Sequence, residues 1–278
     1  MNVLRARYAG ACYGVQRALD MAYAAILDGG PAYTLGPLIH NPQVVAKLEK
    51  EGVSVAQSVD DIDEGMVIIR SHGVTPEVKA SVEERNLPLI DATCPHVARA
   101  QKAAKNLAED GFNVVIVGEK GHPEVEGMTA YAKQVDRDVI VVASPDELPD
   151  RIYDPVGIVV QTTQSKENLD AIVDELQMRG HRPLVKNTIC FATRQRQEAA
   201  AKLAEGVDAI VVIGGRNSSN TTRLFEICKQ RCEKTYHIEV CDEIDPGWFT
   251  GCKNIGITAG ASTPESQIDA VVEYLEKL

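Results

Sequence analysis

The sequence predicts an α/β protein of three similar domains, each built on a small, mostly parallel sheet, arranged around a pseudo-threefold axis. One hydrophobic pattern and two internal repeats predict it. The hydrophobic pattern comes from short apolar, β-branched runs at residues 114–117, 157–160, 209–213 and 254–257. Their near-continuous hydrophobicity suits parallel strands covered on both faces. Amphipathic stretches such as 169–179 and 196–205 lie between them, and such alternation marks an α/β fold.

The first repeat starts at a cysteine. Gly36 follows Cys12 by 24 residues, and His40 comes four later; Gly118 and His122 follow Cys94, and Gly214 and Ser218 follow Cys190, at the same spacings. Each unit reads cysteine, helix, turn, strand, glycine, polar loop. A second helix then opens at Asn41-Pro42, Pro123-Glu124 or Asn220-Thr221, where proline suits a first turn and asparagine an N-cap. In the second repeat a strand ends in a small polar loop and a helix opens on Ser/Thr-x-Glu. Its copies are Ser71-His72-Gly73-Val74-Thr75-Pro76-Glu77, Thr162-Thr163-Gln164-Ser165-Lys166-Glu167 and Ala261-Ser262-Thr263-Pro264-Glu265. The first precedes Cys94 and the second Cys190. The third stands near the C-terminus, so its cysteine partner is Cys12 and the chain ends are expected to meet. The expected domains are 1–93 (completed by the C-terminal segment), 94–189 and 190–278.

Composition removes several function classes. The chain has 278 residues, is 44% hydrophobic and carries a formal net charge of −11, which argues against a general nucleic-acid or anionic-membrane partner. A small anionic ligand needs only local donors and stays open. No apolar run approaches the roughly 18 residues of a membrane span. The N-terminal residues show neither a signal core nor a transit segment, so a cytoplasmic location is expected. There is no Walker loop and no G-x-G-x-x-G, so tightly bound NAD or ATP is not supported.

Seven cysteines call for an explanation, and in a reducing compartment they are buried, catalytic or metal-bound. Cys228, Cys232, Cys241 and Cys252 have no standard zinc spacing and read as ordinary thiols. Cys12, Cys94 and Cys190 occupy equivalent repeat positions beside loops where parallel α/β sheets bind ligands. Three thiolates from three domains suit a [4Fe–4S] cluster with one iron left open, a Lewis-acid site rather than a plain electron carrier. Zinc on the same cysteines competes, but it favours a local ligand pair, and these cysteines lie 82 and 96 residues apart. Around the metal the repeats place His40, His72, His122, Ser218, Asn220, Thr162, Ser262 and Glu124. Several lie before helix N-termini, which seat phosphate groups. Glu124 takes the position of Asn220 in the third unit and is a candidate proton donor, set against a helix first-turn acid that merely suits the dipole. Glu126 and Asp91 read as structural, and Arg194, Arg196 and Arg223 as a solvated face. A metal-dependent sensor and a cluster-free phosphate-binding protein are the rival classes.

In their order the motifs resemble one family, the 4-hydroxy-3-methylbut-2-enyl diphosphate reductases of the methylerythritol phosphate route. They are Cys12-Tyr13-Gly14-Val15, His40-Asn41, Ser71-His72-Gly73-Val74, Asp91-Ala92-Thr93-Cys94-Pro95, Gly121-His122-Pro123-Glu124-Val125-Glu126-Gly127, Gln161-Thr162-Thr163, Thr188-Ile189-Cys190-Phe191-Ala192-Thr193, Asn217-Ser218-Ser219-Asn220 and Thr258-Ala259-Gly260-Ala261-Ser262. The resemblance spans essentially the whole chain. It implies a three-domain α/β fold around one [4Fe–4S] cluster, and reductive removal of an allylic hydroxyl to give isopentenyl and dimethylallyl diphosphate. Carried over by motif, Cys12, Cys94 and Cys190 are the cluster ligands. His40, His72, His122, Ser218, Asn220 and Ser262 hold the diphosphate, with Ser219 assisting. Glu124 belongs to a proton relay and Thr162 contacts the substrate hydroxyl region. Ferredoxin or flavodoxin is the implied donor. Gly10-Ala11-Cys12 departs from the family's aromatic-cysteine pair, as do His96 and Gln195 from their usual apolar residue and asparagine.

Overall fold

The structure is a computed structural model that describes residues 1–27 and 29–278. The described residues form three four-stranded sheets and nine α-helices, with every strand pair parallel. The apolar runs read from sequence are the central strands. β6 (Asn113–Val117), β8 (Val156–Val160) and β10 (Ala209–Ile213) are buried at every residue, because helices cover both faces of their sheets. No described helix is long and apolar enough to cross a membrane.

The chain forms two compact units. The first comprises Met1–Gln16, His40–Val44 and Phe191–Leu278. Its sheet has the order β1-β12-β10-β11, with β1 at Asn2–Arg5, β11 at Thr235–Ile238 and β12 at Asn254–Ala259. Helices α7 (Phe191–Ala204), α8 (Ser219–Lys229) and α9 (Glu265–Glu276) belong to this unit. Ile213, Ile257, Ile268 and Leu275 meet in one core layer, and Ala200, Ile210, Leu224 and Cys228 in another.

The second unit comprises Arg17–Ile39 and Val45–Cys190 and carries two sheets. One has the order β3-β2-β4-β5, with β2 at Ala32–Leu35, β3 at Val53–Ala56, β4 at Met66–Ile69 and β5 at Leu89–Asp91. The other has the order β7-β6-β8-β9, with β7 at Val139–Val142 and β9 at Leu184–Lys186. Proline opens α3 (Pro76–Glu84), α4 (Pro95–Glu109) and α5 (Pro123–Ala132), where its missing N–H costs nothing. Ser165 caps α6 (Lys166–Met178) through its hydroxyl. Helices α1 (Tyr13–Leu27) and α2 (Pro42–Lys50) complete the set.

All three sheets share one strand order, second-first-third-fourth along each repeat. The expected meeting of the chain ends occurs, with Asn2 paired to Asn254 and Arg5 to Ile257. The sheet they share is the third, which corrects the expectation that the C-terminal segment completes the first domain. The cause lies in where each cysteine stands. Cys94 follows β5 and Cys190 follows β9, each the fourth strand of its sheet; Cys12 follows β1, which fills the fourth place beside β12. A cysteine therefore closes its sheet, and the helix after it leads on to the next.

Candidate functional site

The three cysteines are anchored in the same way. The Cys94 amide donates to the Ser71 carbonyl at 2.9 Å, the Cys190 amide to the Thr162 carbonyl at 3.0 Å, and the Cys12 amide to the Ala261 carbonyl at 3.0 Å. Ser71, Thr162 and Ala261 are the first residues of the three polar loops that define the second sequence repeat. Each cysteine thus sits beside the loop that the repeat assigned to it. All three are half-buried thiols, and each stands immediately before a helix, α4, α7 or α1. The Cys94 sulfur does not cap α4. Half-exposed sulfurs at helix N-termini are suited to thiolate chemistry and to soft metals.

Two of the other four cysteines differ in burial. Cys228 and Cys232 are buried in the core of the first unit. Burial pushes the Cys228 thiol up to about 12, with the neighbouring Cys232 adding to the shift, so the free thiol stays protonated at neutral pH. Cys228 lies against the Ala200 carbonyl, and Cys232 against those of Val207 and Lys234. They serve as core residues, a burial that the reading of them as ordinary thiols did not include.

In the second unit, Glu124 and Thr162 form one construction. Glu124 is the second residue of α5 and is 1% exposed. The Thr162 amide donates to its Oε1 at 2.6 Å, and the Thr162 hydroxyl donates to Oε2 at 2.9 Å. Burial pushes the Glu124 carboxyl up to about 7 against the pull of these two bonds, and the charge of Glu119 adds to the rise. A carboxyl that titrates near neutrality exchanges protons readily at working pH. This goes beyond a first-turn acid that merely suits the helix dipole.

His122 is the N-cap of α5, and its Nδ1 accepts the Glu124 amide at 3.2 Å. Burial and the positive charge of Arg70 hold His122 down to about 4, so the ring is neutral at pH 7. With Nδ1 accepting, the neutral ring carries its proton on Nε2 and is a donor there. The His72 ring meets it edge to face, centroids 5.6 Å apart. Loops from two different sheets of this unit thus converge on one pair of histidines.

In the first unit, His40, Asn41 and Ser262 interlock. The Ser262 hydroxyl donates to the His40 carbonyl at 3.0 Å, and the Asn41 amide donates to the Ser262 carbonyl at 2.9 Å and to Gln267 Oε1 at 2.9 Å. Asn41 Oδ1 accepts the Val44 amide and so caps α2. The loop after β10 also packs here: a side chain at Gly215 would stand 2.7 Å from the His40 carbonyl oxygen. Ser218 caps α8 through its hydroxyl, and Ser219 is buried in the first turn. Asn220 is 4% exposed, and neither its amide nitrogen nor its oxygen has a hydrogen-bond partner among the described residues. A buried amide left open at both ends carries a large desolvation cost unless a ligand completes it.

Asn41 emerges as the residue that ties two predicted donors together, a role its N-cap position alone did not reveal. Arg196 is a correction. It is 4% exposed rather than solvated, and its guanidinium donates to the carbonyls of Gly10 at 2.7 Å and Ala192 at 3.3 Å. Its α7 face, with Thr193, Gln197, Ala200 and Ala204, turns inward, and the two carbonyls accept from its two terminal nitrogens. Arg194 is exposed as expected, and Arg223 is half-buried and paired with Glu226.

Comparison with known proteins agrees with this geometry. The model of the family described as LytB protein matches residues 3–276. The 4-hydroxy-3-methylbut-2-enyl diphosphate reductase of Geotalea uraniireducens (strain Rf4) is 47% identical, covering 100% of this chain and 98% of that protein. The protein of the same description from Geobacter sulfurreducens is also 47% identical over the same shares. A solved structure of (E)-4-hydroxy-3-methyl-but-2-enyl diphosphate reductase, the terminal enzyme of the non-mevalonate pathway, is 42% identical with TM-score 0.72 and full coverage of both chains. The E-1-hydroxy-2-methyl-but-2-enyl-4-diphosphate reductase of Plasmodium falciparum is 27% identical with TM-score 0.91, covering 99% of this chain and 87% of that one.

Proposed function

The chain belongs to the LytB protein family, and from that premise we propose that it reductively dehydroxylates (E)-4-hydroxy-3-methylbut-2-enyl diphosphate to isopentenyl and dimethylallyl diphosphate. The observation that carries this reading is the family match over nearly the whole chain. The buried Glu124–Thr162 pair supports it from the side of chemistry.

Cys12, Cys94 and Cys190 hold the [4Fe–4S] cluster in this reading. Their equivalent anchoring and half-exposure fit that role, and the buried, protonated Cys228 does not. When bound, the cluster would supply Lewis-acid and electron-transfer chemistry, with the electrons coming from a ferredoxin or flavodoxin.

Overall, the substrate takes two electrons and two protons; the C–O bond breaks, a C–H bond forms and water leaves. Glu124 holds the proton for the leaving hydroxyl. Its Oε1 is engaged by the Thr162 amide and its Oε2 accepts from the Thr162 hydroxyl; once Oε2 is protonated that bond reverses, Oε2 donating to Thr162 Oγ1, whose own hydrogen then turns toward the substrate. His40, His72, His122, Ser218, Asn220 and Ser262 bind the diphosphate, with Ser219 assisting. His122 donates from Nε2, and Asn220 gains the partner it lacks.

This relay requires a protonated Glu124. Its pKa is raised, so the competent form is fully present at low pH and is lost as pH rises through about 7. The kcat profile is expected to show a descending limb centred near that value; a flat profile from pH 6 to 8.5 contradicts the assignment. The function itself is tested by anaerobic incubation of the holoenzyme with the allylic diphosphate and a reduced dye. Both isomeric products are expected, and no consumption of the substrate refutes the reading.

A further inference from the structure

We propose that Arg70 is the cation of the diphosphate site: it braces the turn that presents His72 and supplies a fixed positive charge that draws the substrate's diphosphate. The inference rests on the reading of His72 and His122 as diphosphate donors.

Arg70 stands directly after β4, two residues before His72. Its carbonyl accepts the Gly73 amide at 2.9 Å, and its Nε reaches the Gly73 carbonyl at 3.4 Å. Backbone and side chain of one residue thus close the turn around Ser71 and His72. Gly73 is in the left-handed region at φ 73°, as this turn requires. The turn is then fixed on both sides. The Ser71 amide and hydroxyl both donate to the Leu38 carbonyl, and the Ser71 carbonyl takes the Cys94 amide.

The guanidinium lies over Gly36. A side chain there would stand 2.5 Å from Nη1, so the guanidinium would have to shift to admit one. The glycine at 36 is called for by its left-handed φ of 71°, and the guanidinium uses the space it leaves.

Charge carries the rest of the argument. A cation withdrawn from water needs a counter-charge. Arg70 has no carboxylate within 4 Å among the described residues; the one that reaches it electrostatically is Glu126, exposed on α5. Burial lowers the Arg70 pKa from its ordinary value, which expresses this shortfall. The field of the guanidinium reaches the His122 ring and helps to keep it neutral. His122 therefore offers the diphosphate a hydrogen bond without a charge, and Arg70 supplies the charge. No sequence motif marked Arg70, since an arginine at a strand end reads as solvated.

The test compares Arg70→Gln and Arg70→Lys in anaerobically prepared holoenzyme. The measurements are KM and kcat for the allylic diphosphate and the inhibition constant of inorganic diphosphate. Arg70→Gln is expected to raise KM and the inhibition constant about tenfold or more, with kcat within threefold of wild type. Arg70→Lys, which keeps the charge, should recover both constants to within about threefold. Constants within twofold of wild type in Arg70→Gln overturn the proposal, as does a lysine variant as impaired as the glutamine one. If Arg70→Gln loses its iron, Arg70→Lys against wild type decides alone: it must stay within that threefold. A wild-type enzyme that neither turns over the substrate nor is inhibited by diphosphate would instead sink the functional reading beneath.

Discussion

Glu124→Gln is expected to lower kcat at least about a hundredfold while iron content and KM stay near the wild-type values, because a positioned general acid contributes roughly 10²–10⁴-fold. Glutamine keeps the size of the side chain, and its carbonyl oxygen still accepts the Thr162 amide or hydroxyl. What it lacks is the transferable proton. The carboxyl is 1% exposed and has Thr162 as its bonded neighbour on both oxygens, so bulk water does not readily replace the relay. Steady-state turnover with a reduced dye, beside iron analysis of the same sample, checks this. Turnover within tenfold of wild type would remove Glu124 from proton delivery.

Replacing any one of Cys12, Cys94 or Cys190 with serine is expected to abolish turnover and to strip most of the iron. A three-thiolate site has no spare protein ligand, and a neutral hydroxyl is a poor ligand for iron beside sulfide. Cys228→Ser serves as the control. Its sulfur is buried beside the Ala200 carbonyl in the core of the first unit. That change is expected to cost roughly 1–3 kcal/mol of stability through a buried hydroxyl, and to leave iron per folded chain unchanged. Iron loss in Cys228→Ser equal to that in the other three would erase the division of the seven cysteines into two classes.

Much of the fold was legible because its central strands are buried on both faces. β6 and β10 carry continuous runs of valine and isoleucine, and β8 and β12 carry valine or isoleucine broken by a single glycine, which no amphipathic helix shows. The edge strands were not legible. β9 is exposed at all three residues and β1 at three of four, so neither has a hydrophobic period to read. That is why the meeting of the chain ends could be read from the repeats while the sheet they share could not. The fourth strand of that sheet is β1, and its pairing with β12 is a matter of backbone hydrogen bonds rather than of side-chain pattern.

The candidate site was legible where it repeats and opaque where it does not. Equal spacing of Cys, Gly and His or Ser pointed to the loops, and the common amide bond of each cysteine to its polar loop is the structural counterpart. Glu124 was marked by its place opposite Asn220, yet its proton affinity comes from burial, which one sequence does not display. Asn41 and Arg196 act through long-range bonds to Ser262, Gln267 and Gly10. Arg70 acts through a glycine 34 residues earlier in the chain. None of these partners follows from local pattern.

The central claim is that three cysteines of this chain hold one iron–sulfur cluster. Anaerobic purification followed by iron, sulfide and zinc analysis tests it most directly. The account predicts about four irons and four sulfides per chain, reduced in the Cys12, Cys94 and Cys190 variants and unchanged in Cys228→Ser. Stoichiometric zinc without sulfide would contradict it.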